Sequence, residues 1–276
     1  MVLAGVVLLF LCGALLLIRR SQEGRLLEIG SAEASTSQGL SDASKYVADR
    51  LGEAGSFSRI AKVKGVVKCD SPLISEVARQ SCVYYEMSVT REYEEYQGIR
   101  SRRRQRIGRP RRGSETVATN SQRVPFWVED ATGRILVNPQ NSQIDSIKVV
   151  DRFEPAGGLG GSNVLSFGGF SVDLGNLLPG PGLGSRTTLG YRLQEKLLPL
   201  ERRVYVLGEA RDVSGQLTIE KPRERGKPFI VTLKSEEELI SSTRSAILWL
   251  LVGAAASGIA GIGLVLAGLI PLVVGR

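Results

Sequence analysis

From Ala246 to Val274 the chain carries no Lys, Arg, Asp or Glu. As a helix rising ~1.5 Å per residue this run would reach about 43 Å, against a bilayer hydrocarbon core of about 30 Å. It is predicted to cross a membrane. The opposite end behaves in the same way, since Met1 to Ile18 is uncharged and then stops at Arg19-Arg20. Whatever chemistry or recognition the protein performs is therefore held between two anchors. The first run has no basic residue ahead of it and no small-x-small site behind it, so it reads as a retained anchor rather than a cleaved signal. Cys12 follows Leu11, which also argues against a lipoprotein signal.

Of the formal charge of +8 all but one sits on the segment between the anchors, because Arg276 is the one Lys or Arg outside residues 19–244. A basic body beside a bilayer points to anionic lipid headgroups, each nearby Lys or Arg contributing about 1 kcal/mol. Nucleic acid is not the expected partner. Basic residues at the ends of spans favour the cytoplasmic side, so Arg19, Arg20 and Arg244 predict a cytoplasmic domain with both termini across the membrane.

The 276 residues contain no histidine. Ser-His-Asp and Cys-His nucleophiles are excluded, as is any imidazole ligand or neutral-pH proton shuttle. Of three cysteines, Cys12 lies in the first apolar run, and Cys69 with Cys82 cannot fill a four-ligand zinc site without carboxylates. Those two read as free thiols in strands, although their spacing leaves a disulfide open. No cofactor, metal or catalytic residue is expected.

Residues 19–57 form a polar linker in which Leu40, Ala43, Val47 and Leu51 fall at helical spacing, suggesting a short amphipathic helix. Residues 58–234 carry strand signals. Ile60 to Lys68 alternates apolar and polar residues, with Gly65 placed for a bulge or a close backbone approach. Cys82 to Thr90 is rich in aromatic and β-branched residues. Val124–Glu129 and Arg134–Val137 flank the turn Asp130-Ala131-Thr132-Gly133, and Ile147–Phe153, Arg203–Glu209, Gln216–Glu220 and Phe229–Leu233 follow. The expected fold is mainly β, a sandwich or partly closed barrel with short helices, flanked by two transmembrane helices. Gly190 to Pro199 reads as one or two amphipathic helical turns. Ser235 and Glu238 make a capping box, opening a helix that runs through residues 235–276 into the second span.

Two insertions interrupt the strands. Residues 100–112 hold eight arginines, with Gly108 and Pro110 opposing a helix. The bland expectation is a disordered, solvated hairpin loop. The functional one is an electrostatic clamp on acidic lipid or an acidic protein, made by Arg102, Arg103, Arg104, Arg106, Arg109, Arg111 and Arg112. Residues 155–185 hold ten glycines and one charged residue, Asp173, without a phosphate-loop pattern. That segment either packs over the core or meets the membrane. In the second span Gly253, Ser257 and Gly261 recur every four residues, a stripe on which the first apolar run or a second copy of the chain can pack.

The sequence resembles a known family through Lys64-Gly65-Val66-Val67, Ser71-Pro72-Leu73, Cys82-Val83-Tyr84-Tyr85, Pro125 to Gly133, Leu136-Val137-Asn138-Pro139, Tyr191 with Glu195, and Val204 to Ala210. In that order, and with the closing anchor, they are similar to the GIDE or BAM ("beside a membrane") domain of MULAN-type membrane RING E3 ubiquitin ligases. The resemblance implies a β-rich domain at a membrane, covering roughly Ser58 to the second span. In the ligases a RING with eight Cys or His ligands follows the second span and recruits the charged conjugating enzyme. This chain departs there, having no histidine and two cysteines outside the anchors. The expectation is a scaffold or sensor binding a protein partner or anionic lipid without catalysis, with E3 ubiquitin-protein ligase activity as the alternative. A carboxylate hydrolase using Glu129, Asp130, Glu195 or Glu209 is the other enzymatic option.

Overall fold

A computed structural model describes residues 2–31, 33–51, 57–101, 104–156, 164–167, 170–173, 186–213 and 215–274. In chain order the elements are α1 (Val2–Ser31), β1 (Glu33–Ala34), α2 (Ser37–Leu51), β2 (Ser58–Lys68), β3 (Leu73–Ile74), β4 (Ser81–Ser101) and β5 (Arg104–Arg123). There follow β6 (Phe126–Asp130), β7 (Gly133–Val137), β8 (Gln143–Ile144), β9 (Ile147–Pro155), β10 (Val164–Phe167), β11 (Phe170–Asp173) and β12 (Arg186–Pro199). The last are β13 (Arg203–Val213), β14 (Gln216–Glu220), β15 (Ile230–Thr232) and α3 (Glu236–Val274). The described chain is mainly β, with a closed five-stranded barrel and a half-barrel, and the expected apolar helices stand at its two ends. Its contacts divide it into two compact units, Met1–Val63 with Val204–Arg276, and Lys64–Arg203.

In the first unit, α1 continues past Arg19-Arg20 to Ser31, so the start of the expected linker is helical. The expected amphipathic helix is α2. Thr36 caps it, its hydroxyl accepting from the Gly39 amide at 3.1 Å, and Leu40 is buried. β1 runs parallel to β2, and β13 pairs antiparallel with both β14 and β15. Tyr205, Leu207 and Ile230 form a core against which Ile60 and Ile240 pack. The expected capping box opens α3. The Glu238 amide donates to Ser235 Oγ at 3.2 Å, and the Ser235 amide donates to Glu238 Oε2 at 3.1 Å.

In the second unit, β2 pairs with β6 and β6 with β7, and Asp130 closes the turn by accepting from the Thr132 and Gly133 amides. Gly65 sits where a close approach was expected: a Cβ there would lie 2.4 Å from the Glu129 carbonyl oxygen. Gly65→Ala must therefore push β2 off β6, at a cost of about 1–3 kcal/mol read as a lowered melting temperature. The half-barrel runs β3-β4-β12-β9, with β5 on β4. The segment Gly190–Pro199, expected as helical turns, is instead strand, part of β12 between β4 and β9. Tyr191, Leu193, Glu195 and Leu197 alternate and are all buried, the period of two that a strand with a filled inner face requires.

Of residues 155–185, β10 and β11 make a short antiparallel hairpin. Residues 157–163, 168–169 and 174–185 lie outside the described residues.

Candidate functional site

The arginine-rich stretch forms the far end of a long antiparallel hairpin, strand-paired in its described residues where a disordered hairpin loop was expected. β4 and β5 stay in register from Tyr84↔Arg123 out to Ser101↔Arg104, with irregularities at Val89/Thr90 and Tyr96/Gly98. Like charges alone would disfavour such a pairing; opposite charges across the strands at its base offset them. Arg111 lies opposite Glu95 and Arg112 opposite Glu94, and Arg112 Nε donates to Glu94 Oε1 at 3.0 Å. On the other side of β4, Arg186 meets Glu95 at 3.2 Å and Arg192 meets Glu92 at 2.8 Å. Arg91, buried, pairs with Glu115 at 3.0 Å. The guanidinium groups of Arg91 and Arg186 lie 5.7 and 4.9 Å from the Tyr93 ring centroid. That ring covers Gly113, where a Cβ would lie 2.7 Å from it.

Beyond this base the balance ends. No Asp or Glu occurs between Glu95 and Glu115, while Arg100, Arg102, Arg103, Arg104, Arg106 and Arg109 fall within that interval ahead of Arg111. The register sets Arg100 opposite Gln105, Arg104 opposite Ser101 and Arg106 opposite Ile99. Arg109 continues β5, and Arg102 and Arg103 lie outside the described residues. Of the seven predicted binding arginines, Arg111 and Arg112 are thus exposed at the acidic base, and Arg104, Arg106 and Arg109 lie on β5 beyond it.

The stripe in the second span faces α1. Ser257 is buried, a Cβ on Gly261 would lie 3.0 Å from the Gly5 carbonyl oxygen, and one on Gly253 would lie 3.6 Å from Leu15. The reverse view is tighter, since a Cβ on Gly5 would meet the Gly261 carbonyl oxygen at 2.8 Å and the Val265 amide nitrogen at 2.9 Å. Gly5 carried no signal in isolation; only its pairing with Gly261 shows its part.

The candidate catalytic carboxylates are separately engaged. Glu195 is fully buried on β12 and not on a helical turn. It accepts from the Val77 amide at 2.8 Å, the Ala78 amide at 2.7 Å and Ser75 Oγ at 3.1 Å. Glu209 accepts from Ser58 Oγ at 2.5 Å and the Arg223 amide at 2.7 Å. Burial pushes its pKa up, but these hydrogen bonds and nearby arginines prevail and hold it below the usual range. Asp130 accepts the turn amides. Glu129 lines a groove of about 460 Å³ with Lys64, Lys68, Asp130, Glu201 and Arg203, where Lys68 is held by Glu201 at 2.8 Å. Cys69 and Cys82 are free thiols, and burial first, then the Glu195 charge, pushes Cys82 up to about 11. Among the described residues no cluster of three or more His, Cys, Asp or Glu could hold a metal.

The sequence model of the GIDE family, described as E3 ubiquitin ligase, matches residues 95–267. The chain belongs to the GIDE family. The match takes in the arginine hairpin, the half-barrel strand with Glu195, and most of the second apolar helix. Comparison with curated proteins and with solved structures finds no match. A GIDE-family chain is membrane-associated, and the two helices here, Val2–Arg20 and Thr243–Leu269, are long and apolar enough to cross a bilayer. The thiols of these 276 residues are Cys12 in the first apolar helix, Cys69, and Cys82, buried on β4.

Proposed function

We propose that this GIDE-family chain is a membrane-anchored scaffold or sensor whose arginine hairpin docks an acidic surface beside the bilayer. That surface is a protein partner or anionic lipid headgroups, and no catalysis by these residues is involved. The observation that carries the reading is the arginine-rich end of the β4–β5 hairpin, in a stretch with no Asp or Glu between Glu95 and Glu115. With a Debye length of about 10 Å at 0.1 M salt, charge held on a paired strand end attracts at contact range and is screened further out. Arg19, Arg20 and Arg244 support a cytoplasmic placement of the β-rich part.

The test is cross-linking in native membranes followed by purification of the full chain, wild type against a variant with Arg100, Arg102, Arg103, Arg104, Arg106 and Arg109 changed to Gln. At about 1 kcal/mol per arginine near an anionic surface, the variant is expected to lose more than a hundredfold in affinity. One stoichiometric protein lost with the arginines supports a protein scaffold, whereas anionic lipid alone, equally lost, supports a bilayer sensor. Capture unchanged by the substitutions, or by raising salt to ~0.5 M, overturns the reading.

The family description favours a second reading, ubiquitin ligation. On that reading the zinc-binding recruitment module must be supplied from outside these 276 residues. Ubiquitin transfer by this chain alone, with a charged conjugating enzyme, would refute the scaffold reading.

A further inference from the structure

We propose that α1 carries a site for one anionic phospholipid, with an acyl chain along its free face and the phosphate at Arg20. A groove of about 840 Å³ runs along this helix, lined by Val6, Phe10, Gly13, Ala14 and Leu17 and closed at one end by Arg20. Val6, Phe10, Gly13, Leu17 and Arg20 follow a four-three-four-three spacing, which keeps them on one helix face. This face adjoins the one that meets α3, sharing Leu9 with it, but its middle is free: Gly5 is buried against α3, whereas a Cβ on Gly13 would meet nothing within 4 Å. Gly13 makes the recess, and Phe10 and Leu17, 77% and 72% exposed, form its walls.

Charge decides the occupant. Arg19 is held by Glu23 at 2.7 Å, while among the described residues no carboxylate ion-pairs with Arg20, which is exposed at the end of the apolar run. A second copy of the chain has the same direction through the membrane, so a symmetric pair on this stripe would bring two Arg20 side chains together, a like-charge contact in a low-dielectric setting. A phospholipid has the opposite layout, one negative group at headgroup level above an apolar chain. From Arg20 to Val6 the helix rises about 21 Å, enough to line a chain through one leaflet, which is about half of the 30 Å core.

The experiment uses the full chain, purified and delipidated in mild detergent, titrated with phosphatidylglycerol or phosphatidylcholine and read by native mass spectrometry. The wild type is expected to retain one phosphatidylglycerol in preference to phosphatidylcholine. Arg20→Gln should weaken it about fivefold, the equivalent of about 1 kcal/mol. Arg19→Gln, whose charge is already engaged, should change it little. Gly13→Leu fills the recess without touching α3 and should remove tight binding of either lipid. All four chains are measured in the background with the hairpin arginines changed to Gln, so the outcome is independent of that site. Equal retention of both lipids, insensitivity to Arg20→Gln and Gly13→Leu, or a dimer in place of the lipid adduct overturns the proposal.

Discussion

Glu195→Ala is expected to destabilise the protein by about 3–5 kcal/mol, a drop of roughly 10 °C in melting temperature for a domain of this size. The substitution removes the acceptor of the Val77 and Ala78 amides and the Ser75 hydroxyl. A fully buried group left unpaired costs about 1–3 kcal/mol, which applies to Ser75; the part-buried amides of Val77 and Ala78 cost less. The loop between β3 and β4 would lose its tether to β12, the strand between β4 and β9. Glu195→Gln should fall between, because its amide nitrogen would face a backbone donor in place of an acceptor. Thermal melting of the full chain in detergent reads both. A hydrolytic role makes the opposite forecast, a wild-type melt for Glu195→Gln with an activity abolished, and that result would revive the carboxylate reading.

The second large effect lies in the apolar helices. Gly5→Leu is expected to separate α1 from α3, since its Cβ would fall 2.8 Å from the Gly261 carbonyl oxygen and 2.9 Å from the Val265 amide nitrogen, backbone atoms that cannot rotate away. Helices in lipid associate through such close packing, without a hydrophobic force to substitute for it. The protein supplies its own reporter. A Cβ built on Gly258 lies 3.3 Å from Cys12 Sγ, so Gly258→Cys places two thiols within disulfide reach. With Cys69 changed to Ser, oxidation in membranes should link α1 to α3. After protease cleavage at a site engineered between residues 174 and 185, the two fragments should stay together on a nonreducing gel. Gly5→Leu should bring that link down to background, whereas Gly13→Leu, in open space, should leave it intact. Undiminished linking in Gly5→Leu would show that the pair tolerates a wider crossing.

Why some of this was legible in the sequence, and some not, follows from the range of the forces involved. The apolar helices, α2, the Asp130 turn and the Ser235–Glu238 cap are local patterns, each specified within a few residues. The strand β12 was not, because Leu193 and Leu197 stand four apart as on a helix, and a carboxylate at position 195 breaks the apolar alternation that would have marked a strand. What makes Glu195 tolerable is a trio of donors more than a hundred residues upstream. At residues 100–112 a hairpin loop was expected, but strand pairing out to Ser101↔Arg104 was not, for a similar reason. A run of like charge predicts repulsion unless its partners are known, and Glu94 and Glu95 become partners of Arg112 and Arg111 only once the register is set. That six further arginines lie past those glutamates was visible in the string, but the place of Arg100, Arg104, Arg106 and Arg109 on a paired ladder was not.

The two apolar helices differ in span, 19 residues in α1 against 27 in α3, or about 28 and 40 Å along their axes. A core of about 30 Å suits the first upright and leaves the second too long. Because Gly5 to Leu15 packs along Val265 to Gly253, one helix cannot lean without drawing the other with it. Where both helices cross a bilayer, a thick, sterol-rich membrane would relieve the excess of α3 and a thin one would tilt both. Shortening α3 by one helical turn should redistribute the protein toward thinner membranes while leaving the arginine hairpin untouched.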